Sequence, residues 1–218
     1  AEAAADFGIP FVHISTDYVF DGSKAGAYVE TDPTAPLGAY GRTKLMGEEA
    51  VRTANPNALI LRTSWVFSPW GHNFLKSMLR LAGERDKLTI VADQHGCPTY
   101  APHFADALLT ALTKKASAAS RAGKPANTYH LCGTGQTTWH GFADYIIRHA
   151  GAAGLLTGPL PDVAPITTAD YPTPAKRPQN SVMDTSKFTT TFGTAMPSWQ
   201  QGVDDCLAAL KPALAGAD

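Results

Sequence analysis

Apolar segments of strand length alternate with longer segments of helical periodicity along most of the chain. This alternation is typical of α/β proteins, in which helices pack on a mostly parallel sheet. The pattern therefore predicts an α/β fold. Strands are predicted at Ile9–Ser15, Ala58–Leu61, Leu88–Val91 and Thr128–Leu131, and helices at Tyr40–Thr53, Asn73–Ala82, Phe104–Leu112, Trp139–His149 and Trp199–Ala213.

The segments between these elements differ in character. The first strand, Ile9–Ser15, is almost continuously apolar, which predicts a strand covered on both faces. Thr138 is predicted to cap the helix that opens at Trp139, because its hydroxyl can accept an unpaired backbone N–H. Ala116–Pro125 is predicted to be a surface loop, and Gly154–Ala175, with its five prolines, an ordered loop over a smaller C-terminal subdomain.

Tyr40 and Lys44 form the most informative polar pair of the chain. Because they are four residues apart, they share one face of the predicted helix. Thr16 comes at the end of the first predicted strand. A strand-end hydroxyl and a Tyr/Lys pair on the next helix can hold a carbonyl group and deliver a proton to it. This is half of the chemistry of ketone reduction, and the hydride must come from a cofactor.

The pair alone is weak support for an enzyme. Chance gives roughly one Tyr-x-x-x-Lys in every three chains of this composition, so the motif needs context. The alternative is a surface helix with a snorkelling Lys, and Thr16 could simply cap a turn. The apolar strand before Thr16 and the long loop from Asp21 to Leu37, which could form a site wall, favour the catalytic interpretation.

Longer motifs surround these residues. They lie at His13–Gly22, Glu30–Asp32, Pro36–Leu37, Tyr40–Glu48, Arg62–Phe67, Asn73–Phe74, Asp93–Thr99, Tyr129–Leu131 and Arg177–Ser181. Together they closely resemble the extended short-chain dehydrogenase/reductase family, and within it the dTDP-4-dehydrorhamnose reductases. The resemblance covers nearly the whole chain. Arg-Thr-Ser-Trp and Arg-Pro-x-Asn-Ser distinguish these reductases from epimerase and dehydratase relatives better than Tyr-x-x-x-Lys does.

The resemblance implies a doubly wound, Rossmann-like parallel sheet. Residues 1–150 would be the remainder of the dinucleotide-binding domain, with some segments on the substrate side, and residues 151–218 mainly a substrate-binding subdomain. Family members begin with a strand, a Gly-rich turn and a helix that receive the dinucleotide pyrophosphate. No Gly-x-x-Gly-x-x-Gly follows a strand here. We therefore expect an N-terminally truncated form of the fold that binds NADPH poorly and is inactive by itself.

The activity implied by the resemblance is reduction of the 4-keto group of dTDP-4-dehydro-L-rhamnose by NADPH, with NADH also open. Thr16 would hold the carbonyl oxygen, Tyr40 would protonate it, and Lys44 would bind the nicotinamide ribose. Ile14, Tyr40 and Lys44 would contact the cofactor. Free tyrosine is a weak acid with a pKa of about 10, and a nearby ammonium stabilises its phenolate. One donor aimed at the developing oxyanion is worth about 3 kcal/mol.

Five residues are candidates for binding the nucleotide-sugar substrate: Thr16, Asp17, Trp65, Asn73 and Arg177. Trp65 could stack on the sugar or fill the core. Asp17 could orient sugar hydroxyls or form an Asx turn. Asn73 could contact the substrate or cap the next helix. Arg177 could bind the diphosphate, because guanidinium pairs bidentately with phosphate oxygens, or could be an ordinary surface residue.

Two other functions stay open at this stage. One is a non-catalytic binding or regulatory relative of the same fold, which would have no need of the Thr16, Tyr40 and Lys44 set. The other is another nucleotide-sugar dehydrogenase of the family, such as a 4-epimerase, which would share the Tyr/Lys pair. Trp65 and Arg177 favour the reductase.

Composition excludes several classes of protein. The 218 residues, 44% hydrophobic and 17% charged, are ordinary for a globular protein, and the net charge of −1 argues against nucleic-acid binding. No apolar run reaches membrane-spanning length. Cys97, Cys132 and Cys206 lack Cys-x-x-Cys spacing, so we expect small buried hydrophobes in a reducing cytoplasm.

No metal is predicted either, because none of the seven histidines has metal-ligand spacing. Some bacterial members of the family carry acidic residues at the position of Pro102 and His103, linked to a metal at a dimer interface. The departure here removes the basis for that metal and for that particular dimer, while a homodimer of another kind stays open.

Overall fold

The computed structural model describes residues 1–118 and 127–215, with side chains for 1–114 and 128–211. The predicted α/β fold with a parallel sheet is confirmed. The helices are α1 (Glu2–Asp6), α2 (Ala39–Ala54), α3 (Phe74–Glu84), α4 (Ala101–Ala118), α5 (Trp139–Ala152), α6 (Ser186–Phe192) and α7 (Trp199–Ala215). The strands are β1 (Val12–Thr16), β2 (Leu59–Thr63), β3 (Val66–Phe67), β4 (Lys87–Val91), β5 (His95–Gly96), β6 (Thr99–Tyr100), β7 (Asn127–His130), β8 (Thr137–Thr138) and β9 (Asp162–Ile166).

The main sheet contains three parallel strands in the order β1-β2-β7. Its central strand, β2, is buried along its whole length, as expected for a parallel strand covered on both faces. Strand β1 pairs with β2 from Val12 to Thr16, and no other described strand pairs with it. The prediction that β1 is covered on both faces is wrong, because Ile14 is 47% exposed.

The other strands form three smaller sheets: β4 with β9 and β3 with β6, both parallel, and β5 with β8, antiparallel. The predicted loop Gly154–Ala175 is therefore wrong at Asp162–Ile166, where β9 pairs with all of β4. Pro165 is tolerated because, in the described residues, β9 pairs with β4 alone and an edge strand leaves some N–H groups unpaired.

Helix α4 begins before the predicted start because Pro102 fits a first helical turn.

The predicted loop Ala116–Pro125 is also corrected at its start. Its first three residues belong to α4, since the Ala-rich sequence continues the helix, and the rest lies outside the described residues.

Thr138 caps α5 as predicted, because its hydroxyl accepts the Gly141 N–H at 3.0 Å. All three cysteines are buried and free, as predicted. Among the described helices, none has the length and apolar character needed to span a bilayer.

Candidate functional site

Helix α2 approaches the end of β1 unusually closely at Gly41. A Cβ atom at this position would lie 2.1 Å from the Tyr18 backbone oxygen and 2.9 Å from Cβ of Pro36. The Tyr18 and Tyr40 rings also meet edge to face, with centroids 6.1 Å apart. Gly41 therefore lets the helix seat Tyr40 against the segment that follows Thr16.

We expect Gly41→Ala to destabilise the protein by about 1–3 kcal/mol, because the new methyl group must displace backbone atoms. Gly83→Ala in α3 is the matched control, since its Cβ would meet no atom within 4 Å. The control should be neutral or stabilising by up to ~1 kcal/mol. Urea unfolding of both variants measures the difference, and equal stabilities would contradict the close approach at Gly41.

Lys44 lies one turn after Tyr40 and bonds to β1. Its ammonium donates to the backbone carbonyl oxygen of Ile14. The exposed Ile14 side chain belongs to the same residue, so an apolar surface and a cation occur together beside Tyr40, which is itself 59% exposed. An exposed apolar side chain next to a cation can contact a flat ring with polar edges, such as a nicotinamide. Cofactor binding by Ile14, Tyr40 and Lys44 stays a prediction.

One more turn along α2, Glu48 fixes the helix to the sheet from the inside. Glu48 is fully buried and accepts from Arg62 Nε at 2.9 Å and Nη2 at 2.8 Å, from Arg52 Nη2 at 2.6 Å and from Ser15 Oγ at 2.6 Å. Burial alone would raise the pKa of Glu48, but these donors, led by Arg62, outweigh it and hold the pKa below its usual range. The network ties α2 to β2 and to the residue before Thr16.

Thr16 lies at the C-terminal end of β1 and is 5% exposed. Its hydroxyl donates to Asp17 Oδ1 at 2.9 Å and accepts the Tyr18 N–H at 3.2 Å. Thr16 thus caps the short 3-10 helix Asp17–Val19, which agrees with the alternative interpretation of Thr16 as a turn cap. Asp17 is 3% exposed, and burial raises its pKa to about 7.

A cleft of about 320 Å³ brings Tyr40 and Arg177 together. Its walls are Tyr18, Phe20, Leu37–Gly41 and Ala175–Pro178. The loop from Asp21 to Leu37 thus contributes to one wall, as predicted for it. Thr16 is not among the residues that line the cleft.

The Arg177–Ser181 segment is held in place by the loop after β1. Asn180 Nδ2 donates to the Lys24 oxygen at 2.7 Å and to the Gly26 oxygen at 2.9 Å. Gly22 has a φ of +82°, and a Cβ there would come within 2.5 Å of Pro178. The Pro and Asn of Arg-Pro-x-Asn-Ser therefore position Arg177 at the mouth of the cleft.

Arg177 also lines a second, larger groove of about 400 Å³. Three aromatic residues, Phe74, Trp139 and Tyr171, and two further cations, Arg85 and Lys87, contribute to it. Aromatic rings and cations together can accept a stacked base and its phosphates. Arg177 connects this groove to the cleft that contains Tyr40.

Trp65, which is predicted to contact the substrate, does not present a free ring face for stacking on a sugar. Its ring stacks on Trp139 with centroids 3.6 Å apart, and a Cβ at Gly96 would lie 2.5 Å from the indole. Trp65 is also the only non-glycine residue with positive φ, at 45°, in the described chain. Trp65 thus supports Trp139, and its contact with a sugar stays a prediction.

Asn73 caps α3, the second of its two predicted roles. Its side-chain oxygen accepts the Lys76 N–H at 3.1 Å, and Nδ2 donates to the Ser68 oxygen at 2.7 Å. A substrate contact through Asn73 stays a prediction. Among the described residues no cluster of three or more metal ligands occurs, and His103 instead contacts Asp205 at 2.8 Å.

Sequence reasoning missed Glu48, Gly41, Trp139 and Tyr171. A signal existed for the first two, since Gly41 and Glu48 lie inside the quoted Tyr40–Glu48 motif, and Glu48 follows Lys44 by one turn on the same helix face. Trp139 and Tyr171 carried no such signal, because they line one groove only when α5 and the segment after β9 come together in the fold.

A model of the family described as the RmlD substrate binding domain matches residues 1–211. The chain belongs to this family. It is 47% identical over 201 residues to the dTDP-4-dehydrorhamnose reductase of Sinorhizobium fredii, covering 92% of this chain and 66% of the relative. It is 46% identical over 215 residues to the Burkholderia thailandensis protein of the same name, covering 95% and 70%. The chain thus spans about two thirds of the length of these relatives.

Solved structures of this family have the same fold. The dTDP-4-dehydrorhamnose reductase of Clostridium acetobutylicum superposes with a TM-score of 0.85 at 35% identity, covering 96% of this chain and 69% of that one. The Bacillus anthracis protein, solved in complex with NADP, gives a TM-score of 0.79 at 33% identity, covering 95% and 68%. The Rossmann-like character predicted for the sheet agrees with these neighbours.

Proposed function

We propose that the protein to which this chain belongs reduces the 4-keto group of dTDP-4-dehydro-L-rhamnose with NADPH and yields dTDP-L-rhamnose. The observation that carries this proposal is the position of Arg177, which lines both the Tyr40 cleft and the aromatic groove. A nucleotide-sugar has the same succession of parts, with a base, a diphosphate and a sugar. The names of the relatives agree with this choice of substrate.

The chemistry of the residues also fits the nicotinamide end of NADPH. Ile14 offers an exposed apolar side chain, and Lys44 offers an ammonium on the same short stretch of surface. When bound, NADPH supplies the hydride. The B. anthracis relative contains NADP, which supports the choice of cofactor.

In this proposal each residue has one task at the sugar. Arg177 binds the diphosphate through charge-assisted hydrogen bonds. The groove residues Phe74, Trp139 and Tyr171 hold the base. Tyr40 donates its phenolic proton to the 4-keto oxygen, and Thr16 donates a hydrogen bond to the same oxygen. Lys44 holds a positive charge beside the phenol and favours the phenolate that proton transfer leaves.

The proposal is tested with the purified full-length protein, NADPH and enzymatically prepared dTDP-4-dehydro-L-rhamnose. We expect NADPH consumption and a product whose mass is two hydrogens greater than that of the substrate. A 4-epimerase would leave NADPH and the sugar mass unchanged, and a non-catalytic relative would bind without turnover. Either result would reject the reductase.

Removal of the Arg177 guanidinium is expected to raise the KM for the nucleotide-sugar. A charge-assisted hydrogen bond contributes about 1.5–3 kcal/mol, so Arg177→Ala should raise KM roughly 10- to 100-fold. Arg148→Ala is the matched control, because Arg148 is an exposed residue of α5 that pairs with Asp144. Steady-state kinetics compares the two variants. An unchanged KM in Arg177→Ala would show that Arg177 does not bind the diphosphate.

A cytoplasmic location and a homodimer remain part of the proposal. The three free, buried cysteines support a reducing compartment. Light scattering of the purified protein tests the dimer, and a monomeric mass at micromolar concentration would reject it.

A further inference from the structure

The hydroxyl of Thr16 is already engaged in this structure. It donates its proton to Asp17 Oδ1 at 2.9 Å and accepts the Tyr18 N–H at 3.2 Å. Because a hydroxyl has one proton, Thr16 cannot donate to a substrate carbonyl while it donates to Asp17. The role proposed for Thr16 therefore requires Asp17 to release that proton.

The charge of Asp17 decides how firmly the proton is held. Hydrogen bonds to an ionised acceptor are roughly twice as strong as those to a neutral one. An ionised Asp17 therefore competes strongly with the weakly basic keto oxygen of a substrate. A neutral Asp17 competes much less, so the Thr16 hydroxyl can turn to the substrate at little cost.

The surroundings of Asp17 disfavour its charged form. Burial is the main cause that raises its pKa to about 7, and the nearby hydroxyls of Ser181 and Thr16 offset only part of that rise. Its Oδ2 atom has no hydrogen-bond partner among the described residues. An unpaired buried carboxylate oxygen costs more than an unpaired neutral one.

The titratable groups that face Asp17 add no positive charge beside it. They are the thiols of Cys97, after β5, and Cys132, after β7, together with the Tyr18 phenol. The guanidinium of Arg177 interacts with Tyr18 on the cleft side. Burial raises the pKa of Tyr18 to about 12, and the hydrogen bond between the two thiols raises the pKa of Cys132 and lowers that of Cys97. None of these three groups carries a positive charge in either protonation state, so none of them stabilises an ionised Asp17.

We propose that Asp17 is a positioning residue that acts through Thr16: its neutral form releases the Thr16 hydroxyl to the 4-keto oxygen, and its ionised form withholds it. This inference rests on the proposed reduction, since it concerns the hydrogen bond that Thr16 makes to the substrate. In this proposal Asp17 controls whether the Thr16 hydroxyl is free to donate, and it does not contact the sugar hydroxyls directly.

A first experiment needs no substrate. The wild-type protein is labelled with carbon-13 at the aspartate carboxyl carbons and titrated by NMR. We expect one carboxyl resonance to titrate near pH 7, and this resonance to be absent from Asp17→Asn. If all aspartate resonances titrate near pH 4, Asp17 is ionised throughout the working range and the proposal is overturned.

A second experiment measures kcat/KM against pH. In the wild type we expect a fall of about tenfold per pH unit above pH 7, as for a single group that must be protonated. Asp17→Asn carries a permanently neutral amide and should lack this fall, whereas the surface control Asp144→Asn should retain it. Circular dichroism checks that each variant is folded.

The dependence on Thr16 is tested with a double variant. If Asp17 acts through Thr16, then in a Thr16→Val background the further change Asp17→Asn should leave the pH profile unaltered. A profile of Asp17→Asn that follows the wild type, or one that responds equally in both backgrounds, would overturn the proposal. Failure of the wild type to reduce the substrate at any pH would instead overturn the proposed function, and the role of Asp17 with it.

Discussion

Tyr40→Phe is expected to lose most of its turnover, by roughly 10²- to 10⁴-fold, because the variant lacks the proton that the reduced carbonyl needs. The fold should survive, since the Tyr40 side chain is 59% exposed and a Phe ring retains the edge-to-face contact with Tyr18. Stopped-flow or steady-state consumption of NADPH measures the loss.

The matched control for Tyr40→Phe is Tyr145→Phe. Tyr145 loses a phenolic hydroxyl that donates to Asp204 at 3.1 Å, far along the chain from the cleft residues. We expect the control to turn over at the wild-type rate. Turnover of Tyr40→Phe within a few-fold of the wild type would exclude Tyr40 as the acid.

The largest effect on stability is expected at Glu48. Glu48→Gln leaves the buried Arg62, which is 3% exposed, without its carboxylate, and breaking a buried ion pair by removing one partner costs about 3–5 kcal/mol. The same loss should also make the positions of Tyr40 and Lys44 less fixed, because Glu48 joins their helix to β2. Chemical denaturation measures the free energy of unfolding.

Glu84→Gln provides the control with the same substitution and the same kind of partner. It breaks the Arg80–Glu84 pair, whose side chains are 62% and 51% exposed, and exposed pairs contribute at most about 1 kcal/mol. A loss in Glu48→Gln no larger than in this control would contradict the role of Glu48 as the internal anchor of α2.

The stability that Glu48 provides should also depend on pH. Its pKa is lowered in the folded protein, so its contribution is present above the pKa of an unfolded-state glutamate, about 4. That contribution is lost as the pH falls through the lower, folded-state pKa. We expect the difference in stability between wild type and Glu48→Gln to shrink in this acidic range, as measured by unfolding at a series of pH values.

The elements of the fold that depend on local sequence could be predicted. Helix α2, with Tyr40 and Lys44 on one face, follows from the spacing of its residues, and the Thr138 cap follows from its hydroxyl before an apolar helix. Strand β9 could not be predicted in the same way. Its five residues lie in a segment with five prolines, and only pairing with β4 makes them a strand.

The site was predictable to the extent that motifs are local. The Tyr40/Lys44 pair and Arg177 could be chosen from sequence, and the structure brings Tyr40 and Arg177 to one cleft. The partner of Arg62 could not be chosen, because Glu48 and Arg62 meet only when α2 packs on β2. The stacking of Trp65 on Trp139 likewise depends on packing between distant segments.

A crystal structure of the protein with NADP and dTDP-L-rhamnose tests the central claim most directly. We expect the 4-hydroxyl oxygen of the sugar within about 2.6–3.2 Å of the Tyr40 phenol and the Thr16 hydroxyl. We also expect the diphosphate against Arg177 and the base between the aromatic residues of the groove. A sugar bound away from Tyr40, or a diphosphate that does not touch Arg177, would contradict the proposed function.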